Sequence, residues 1–64
     1  MKRNKLLSHL IEHECYLKRE GGNHSLWSNP KKSSFAPVPR HSDISERTVF
    51  EICKQLGISK PKIN

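Results

Sequence analysis

The sequence predicts an α+β fold, ordered helix–strand–strand–strand–helix, with both helices on one face of a three-stranded antiparallel sheet. Three observations carry that expectation. Apolar residues recur at helical spacing near each end of the chain. Between them the pattern changes to three short segments rich in strand formers. Two clusters of turn residues, Gly21-Gly22-Asn23 and Asn29-Pro30-Lys31-Lys32, separate those segments.

The first helix is expected over 4–13, where Leu6, Leu7, Leu10 and Ile11 form one apolar stripe between polar residues. Asn4 is its one candidate cap, and it ends near Glu14. Cys15-Tyr16-Leu17-Lys18-Arg19 reads as the first strand. Gly21 and Gly22 interrupt it, since glycine accepts positive φ at little cost. The second strand covers 24–28. At the next turn Pro30 pre-sets φ and Asn29 tolerates turn geometry. The third strand covers 34–38, and Pro37, which cannot donate to a ladder, makes it an edge or locally irregular.

Two registers of the second hairpin are open. With Ser28 opposite Ser34, His24 and Leu26 share a face with Ala36 and Val38, and Trp27 pairs with Phe35. A slip of one residue puts Ser25 and Trp27 with Ala36 and Val38, and turns His24 to the other face. A reachable His24 requires the slipped arrangement or a twisted strand start, and periodicity does not choose between them.

His41 to Ile44 form a polar connector. Ser45 caps the second helix and Glu46 suits its positive end. Val49, Ile52, Cys53 and Leu56 make its apolar stripe, with Phe50 at the flank. Gly57 fits the left-handed position past the helix, and Ile58 can fold back on Cys53. Residues 59–64, with Pro61 and two lysines, read as a frayed tail. The chain is expected to form one domain over 1–64, with no repeat and no internal linker.

A chain of 64 residues with 33% apolar content has a thin core. That size excludes a TIM barrel, a Rossmann nucleotide-binding domain and any deeply enclosed active site. Twelve Lys and Arg against six Asp and Glu leave a net charge of +6, with a pI near 9.8. So basic a chain favours an anionic partner, whether nucleic acid, a membrane surface or an acidic protein. Lysines 2, 5, 31, 32, 60 and 62 fit phosphate attraction, although each alone is an ordinary solubilising charge. No apolar run is long enough to span a bilayer. The basic start, Met1-Lys2-Arg3-Asn4-Lys5, leads into a stretch broken by Ser8, His9 and Glu12, so it reads as a helix rather than a targeting signal. A cytoplasmic location is the expectation. Cys15 and Cys53, far apart and without CxxC spacing, read as reduced core or half-core thiols.

Four histidines could carry chemistry. His9 and His13 share a helical face, with Glu12 between them. That spacing occurs in helical metal sites, but a pair closes no tetrahedral zinc site, and two solvated surface histidines account for it as well. No metal or other cofactor is expected. His24 opens a strand directly after Gly21-Gly22-Asn23, where backbone can approach a ligand closely. Lys18, Arg19, Arg40 and His41 could fold nearby. An imidazole among cations suits RNA cleavage, because it can take the ribose 2′-OH proton or, protonated, give one to the leaving 5′-oxygen. Cations stabilise charge building on phosphorus. By residue type alone, a histidine beside basic residues is also a common surface feature. Trp27 and Phe35 carry two readings as well: stacking on unpaired bases, or packing, which the thin core favours for Trp27.

Four segments together resemble the HicA (YcfA-like) family of small mRNA-interferase toxins: Gly21-Gly22-Asn23-His24-Ser25-Leu26-Trp27, Asn29-Pro30, Val38-Pro39-Arg40-His41, and Lys54-Gln55-Leu56-Gly57-Ile58. They fall in the family's order at compatible spacing, over roughly residues 2–59. The resemblance implies a double-stranded-RNA-binding-domain-like fold, ribonuclease activity on mRNA, and neutralisation by a HicB-type antitoxin. It places the family's catalytic histidine at His24. The family often has glycine after its first helix; here Glu14-Cys15 occupies that stretch, which bears on turn geometry and not on His24.

The leading expectation is therefore a metal-free ribonuclease toxin. His24 would be its general acid or base, with Lys18, Arg19, Asn23, Arg40 and His41 as candidate RNA contacts. A second catalytic group would be His41 or Arg40. Two other classes compete: a non-catalytic RNA-binding module of the same fold, and a pure interaction protein forming the basic half of a complex with an acidic antitoxin.

Overall fold

The computed structural model describes residues 1–62. Its elements run α1 (Arg3–Glu12), β1 (Tyr16–Glu20), β2 (His24–Asn29), β3 (Ser34–Pro39) and α2 (Glu46–Leu56). The strands form one antiparallel sheet in the order β1-β2-β3. The expected α-β-β-β-α order is the observed one. No helix among the described residues is long and apolar enough to cross a membrane.

β2 and β3 pair in the slipped register, Trp27 opposite Ala36 and Ser25 opposite Val38. Those four residues are buried on the helix side, and alternation sends His24, Leu26 and Pro37 to the open side. The core joins them to Leu6 and Leu10 of α1, to Val49, Ile52, Cys53 and Leu56 of α2, and to Ile44. Trp27 is 6% exposed, so packing is its role. The predicted four-residue stripe of α1 narrows in the structure. Leu6 and Leu10 are fully buried and Leu7 is partly so, while Ile11 is 61% exposed. A stripe of two residues is enough where one short helix covers part of a small sheet.

The helix ends follow one rule with different residues. Ser45 caps α2, its Oγ accepting from the Thr48 amide at 3.3 Å. At the other end Gly57 sits at φ 71, and Ile58 N–H reaches the Cys53 carbonyl at 3.0 Å. α1 closes the same way: Cys15 N–H reaches the Leu10 carbonyl at 2.9 Å. Its left-handed residue is Glu14, at φ 67. The family's frequent glycine is thus replaced by a side chain that tolerates the turn at about 1–2 kcal/mol. Asn4 is not the cap of α1, because the helix begins at Arg3 with Lys2 before it and no side-chain cap. That end is held by the chain instead: Met1 and Ile44 exchange backbone bonds, and Arg3 N–H donates to the Ser42 carbonyl.

Cys15 and Cys53 are free and buried, as their spacing suggested. Burial pushes both thiols above their ordinary value, and at Cys53 the neighbouring Cys15 adds to the rise. Past α2, the Ser59 carbonyl accepts from His9 Nε2 at 2.6 Å, and Lys60 Nζ lies 4.7 Å from the Phe50 ring centre. The last two residues of the expected tail, 63 and 64, lie outside the described residues.

Candidate functional site

β2 begins at His24, paired with Pro39 of β3 and exposed on the open side of the sheet. The turn that delivers it is set by backbone. Gly21 N–H donates to the His24 carbonyl at 2.8 Å, closing the loop over Gly22 and Asn23. Glycine is needed at 21 for space rather than for positive φ: a Cβ there would stand 2.8 Å from that carbonyl oxygen. Neither Gly21 nor Gly22 has positive φ, contrary to the sequence expectation. At Gly22 a Cβ would meet nothing within 4 Å.

Beneath this turn runs a polar network that connects four segments. Arg40 Nη2 donates to Glu20 Oε1 at 2.8 Å and to the Gly21 carbonyl at 2.8 Å. Ser25 Oγ donates to the same Glu20 oxygen. Arg3 Nη2 donates to Ser25 Oγ at 3.1 Å, and Arg3 Nε donates to the Pro39 carbonyl at 2.8 Å. The end of β1, the start of β2, the end of β3 and the start of α1 are thereby fixed around the histidine. Arg40, a predicted phosphate contact, joins this network through Nη2, and its side chain stays 43% exposed. Ser25, Glu20 and Arg3 were not singled out from sequence. One signal was present: the slipped register puts Ser25 on the core face, where a buried hydroxyl needs partners.

Beside His24 lies a depression of about 390 Å³ lined by Arg19, Gly21, Gly22, Asn23, Leu26 and Pro37. Arg19 and Asn23 therefore border the histidine. Lys18 lies further along the same open face, its Nζ 5.1 Å from the Phe35 ring centre. A bulge explains why two successive cations share that face. Leu17 pairs with Trp27 and Arg19 with Leu26, which leaves Lys18 as an extra residue. Neither Lys18 nor Arg19 forms an ion pair among the described residues. His41 is exposed two residues beyond β3, and no hydrogen bond joins it to His24.

The other histidines are occupied differently. His13 Nδ1 donates to the His9 carbonyl at 2.9 Å, and the two rings lie 4.3 Å apart. No group of three metal-ligating side chains assembles among the described residues. The depression can thus offer a bound molecule an open imidazole, a free guanidinium, the Asn23 amide and the apolar floor of Leu26 and Pro37. Those are the groups a ribose–phosphate linkage with an adjoining base can use.

A family model described as the HicA toxin of bacterial toxin–antitoxin systems matches residues 3–58. No curated protein and no solved structure matches the chain.

Proposed function

The chain belongs to the HicA toxin family of bacterial toxin–antitoxin systems, and from that premise we propose that it is a cytoplasmic endoribonuclease that cleaves mRNA. The observation that carries the reading is His24: an uncovered imidazole at a strand start, beside Arg19 in a depression of nucleotide size. Neutral His24 takes the proton of the ribose 2′-OH, whose oxygen attacks phosphorus as the 5′-oxygen leaves, or in protonated form it gives that leaving oxygen its proton. The products are a 2′,3′-cyclic phosphate and a 5′-hydroxyl. Arg19 stabilises charge on the phosphate, and Asn23 contacts the same linkage. Arg40 braces the turn through Nη2 and keeps its other N–H groups for the RNA, and His41 remains the candidate for the second proton transfer.

A toxin of this family works opposite an antitoxin. In the proposed pair that partner is an acidic HicB-type protein which covers His24 and the basic open face, excluding RNA by occlusion. The chemistry calls for no metal ion.

The test is cleavage of an unstructured RNA by the purified chain in the presence of a chelator. Parent protein should yield cyclic-phosphate ends, a 2′-O-methyl group at the cut position should block the cut, and His24→Ala should be inactive. Equal cleavage by parent and variant, or none by either, refutes the enzyme reading. Binding without cleavage leaves the RNA-binding module of the same fold.

A further inference from the structure

The open face of the sheet carries more than the histidine. Tyr16 of β1 and Phe35 of β3 flank Ser28 of β2 in register, and the two aromatics are 48% and 47% exposed. The next row toward His24 is Arg19, Leu26 and Pro37. The β1 bulge adds Lys18 to this side, with its ammonium over the Phe35 ring. The strands hold one acidic residue, Glu20, and its register with Ser25 puts it on the helix side. Among the described residues of the strands, this face is therefore half-exposed aromatic rings and unpaired cations with no carboxylate, continuous with the depression at His24.

We propose that this face is a stacking platform for single-stranded RNA, with unpaired bases lying on Phe35 and Tyr16 while Lys18 and Arg19 hold the phosphates leading to His24. The inference rests on the ribonuclease reading and adds the substrate class to it. Paired bases are stacked inside a helix and cannot lie on a protein ring, so a platform of this kind selects unpaired stretches. Strand rise is about 3.3 Å per residue, so four residues of β2 separate the Ser28 row from His24 by about 13 Å. A base on Phe35 and a scissile linkage at His24 thus fall within one short strand. An arriving base displaces the Lys18 ammonium from the ring, and that ammonium turns to the phosphate. The complementarity is to a polyanion with flat apolar faces, which is what single-stranded RNA offers.

The platform is tested by binding, separately from cleavage. The probes are a 2′-O-methyl single-stranded oligomer, which the proposed chemistry cannot cut, and the same sequence as a blunt duplex. The parent should bind the single strand more tightly, and Phe35→Ala and Tyr16→Ala should each weaken that binding about fivefold or more. Duplex binding and melting temperature should stay near the parent's, since both rings are half exposed. If the parent binds the oligomer and both variants match it, or if it prefers the duplex, the platform is wrong while the ribonuclease reading stands. If the variants weaken only the complex with the acidic antitoxin, the face is a protein-docking surface and the platform is equally overturned. A chain that neither binds nor cleaves RNA sinks both.

Discussion

β2 begins and ends with a polar residue in a turn, and the two ends behave oppositely. Its last residue, Asn29, is 3% exposed and works inward. Asn29 Nδ2 donates to the Leu56 carbonyl at 2.8 Å, and its Oδ1 accepts from Lys31 N–H at 3.2 Å. Ser34 Oγ adds a second donor to that carbonyl at 3.1 Å. One amide thus organises the hairpin and satisfies an orphan carbonyl of α2. The first residue, His24, is exposed and no side-chain hydrogen bond holds it among the described residues; its surroundings hold the backbone instead. The difference teaches how a thin domain separates duties. Where a polar side chain is consumed by the fold it is buried and doubly bonded. At His24, the proposed catalytic residue, the fold fixes the main chain and leaves the ring free.

Substitutions at either end put this contrast to the test. Asn29→Ala strands buried polar groups and should cost about 2 kcal/mol. For a domain this small that lowers the melting temperature by roughly 10 °C. A melt within a degree or two of the parent's would mean the buried amide is not structural. At the His24 end, Gly21→Ala forces a Cβ against the His24 carbonyl and should cost about 1–3 kcal/mol. Its cleavage per folded molecule should fall too. Gly22→Ala, one residue along in open space, should match the parent in both, and equal effects at 21 and 22 would contradict the close-approach explanation.

Glu14 stands beside the Asn29 turn, where its carboxylate pairs with Lys31 at 2.5 Å. Glu14→Gly removes the left-handed strain, about 1–2 kcal/mol, and loses an exposed pair worth less than about 1 kcal/mol. A small net rise in melting temperature is expected, and a fall would show that the ion pair outweighs the strain. The smallest effect is alkaline. Burial raises the folded-state pKa of Cys15 and Cys53. Their contribution to stability is therefore complete below the ordinary thiol value of 9.0 and is lost as pH rises through the raised folded values. Chemical denaturation at increasing pH should show a decline that Cys53→Ala lessens; an unchanged slope would remove the thiols as its cause.

Much of this was legible in the sequence, because it is local. The helix stripes, the Ser45 cap, Gly57 and the positions of the two turns each follow from a few neighbouring residues. The register was narrowed by one requirement, that His24 be reachable. What the sequence hid depends on which distant groups meet. The Lys18 bulge appears only when β1 is laid against β2. The role of Asn29 appears only when the end of α2 is brought over it. The Arg40–Glu20 pair appears only when β1 and β3 are placed on either side of β2. Ile11 looked like core because periodicity does not say how wide a stripe a small sheet needs.

β2 thus joins a proposed catalytic end to a structural one. The most direct test of that division is RNA cleavage per folded molecule, measured alongside the melting temperature, for His24→Ala and Asn29→Ala. His24→Ala should lose at least about 100-fold in rate with an unchanged melt, while Asn29→Ala should melt earlier yet cleave normally at temperatures where it is folded. A His24→Ala protein that cleaves like the parent, or that loses activity only because it unfolds, would contradict it.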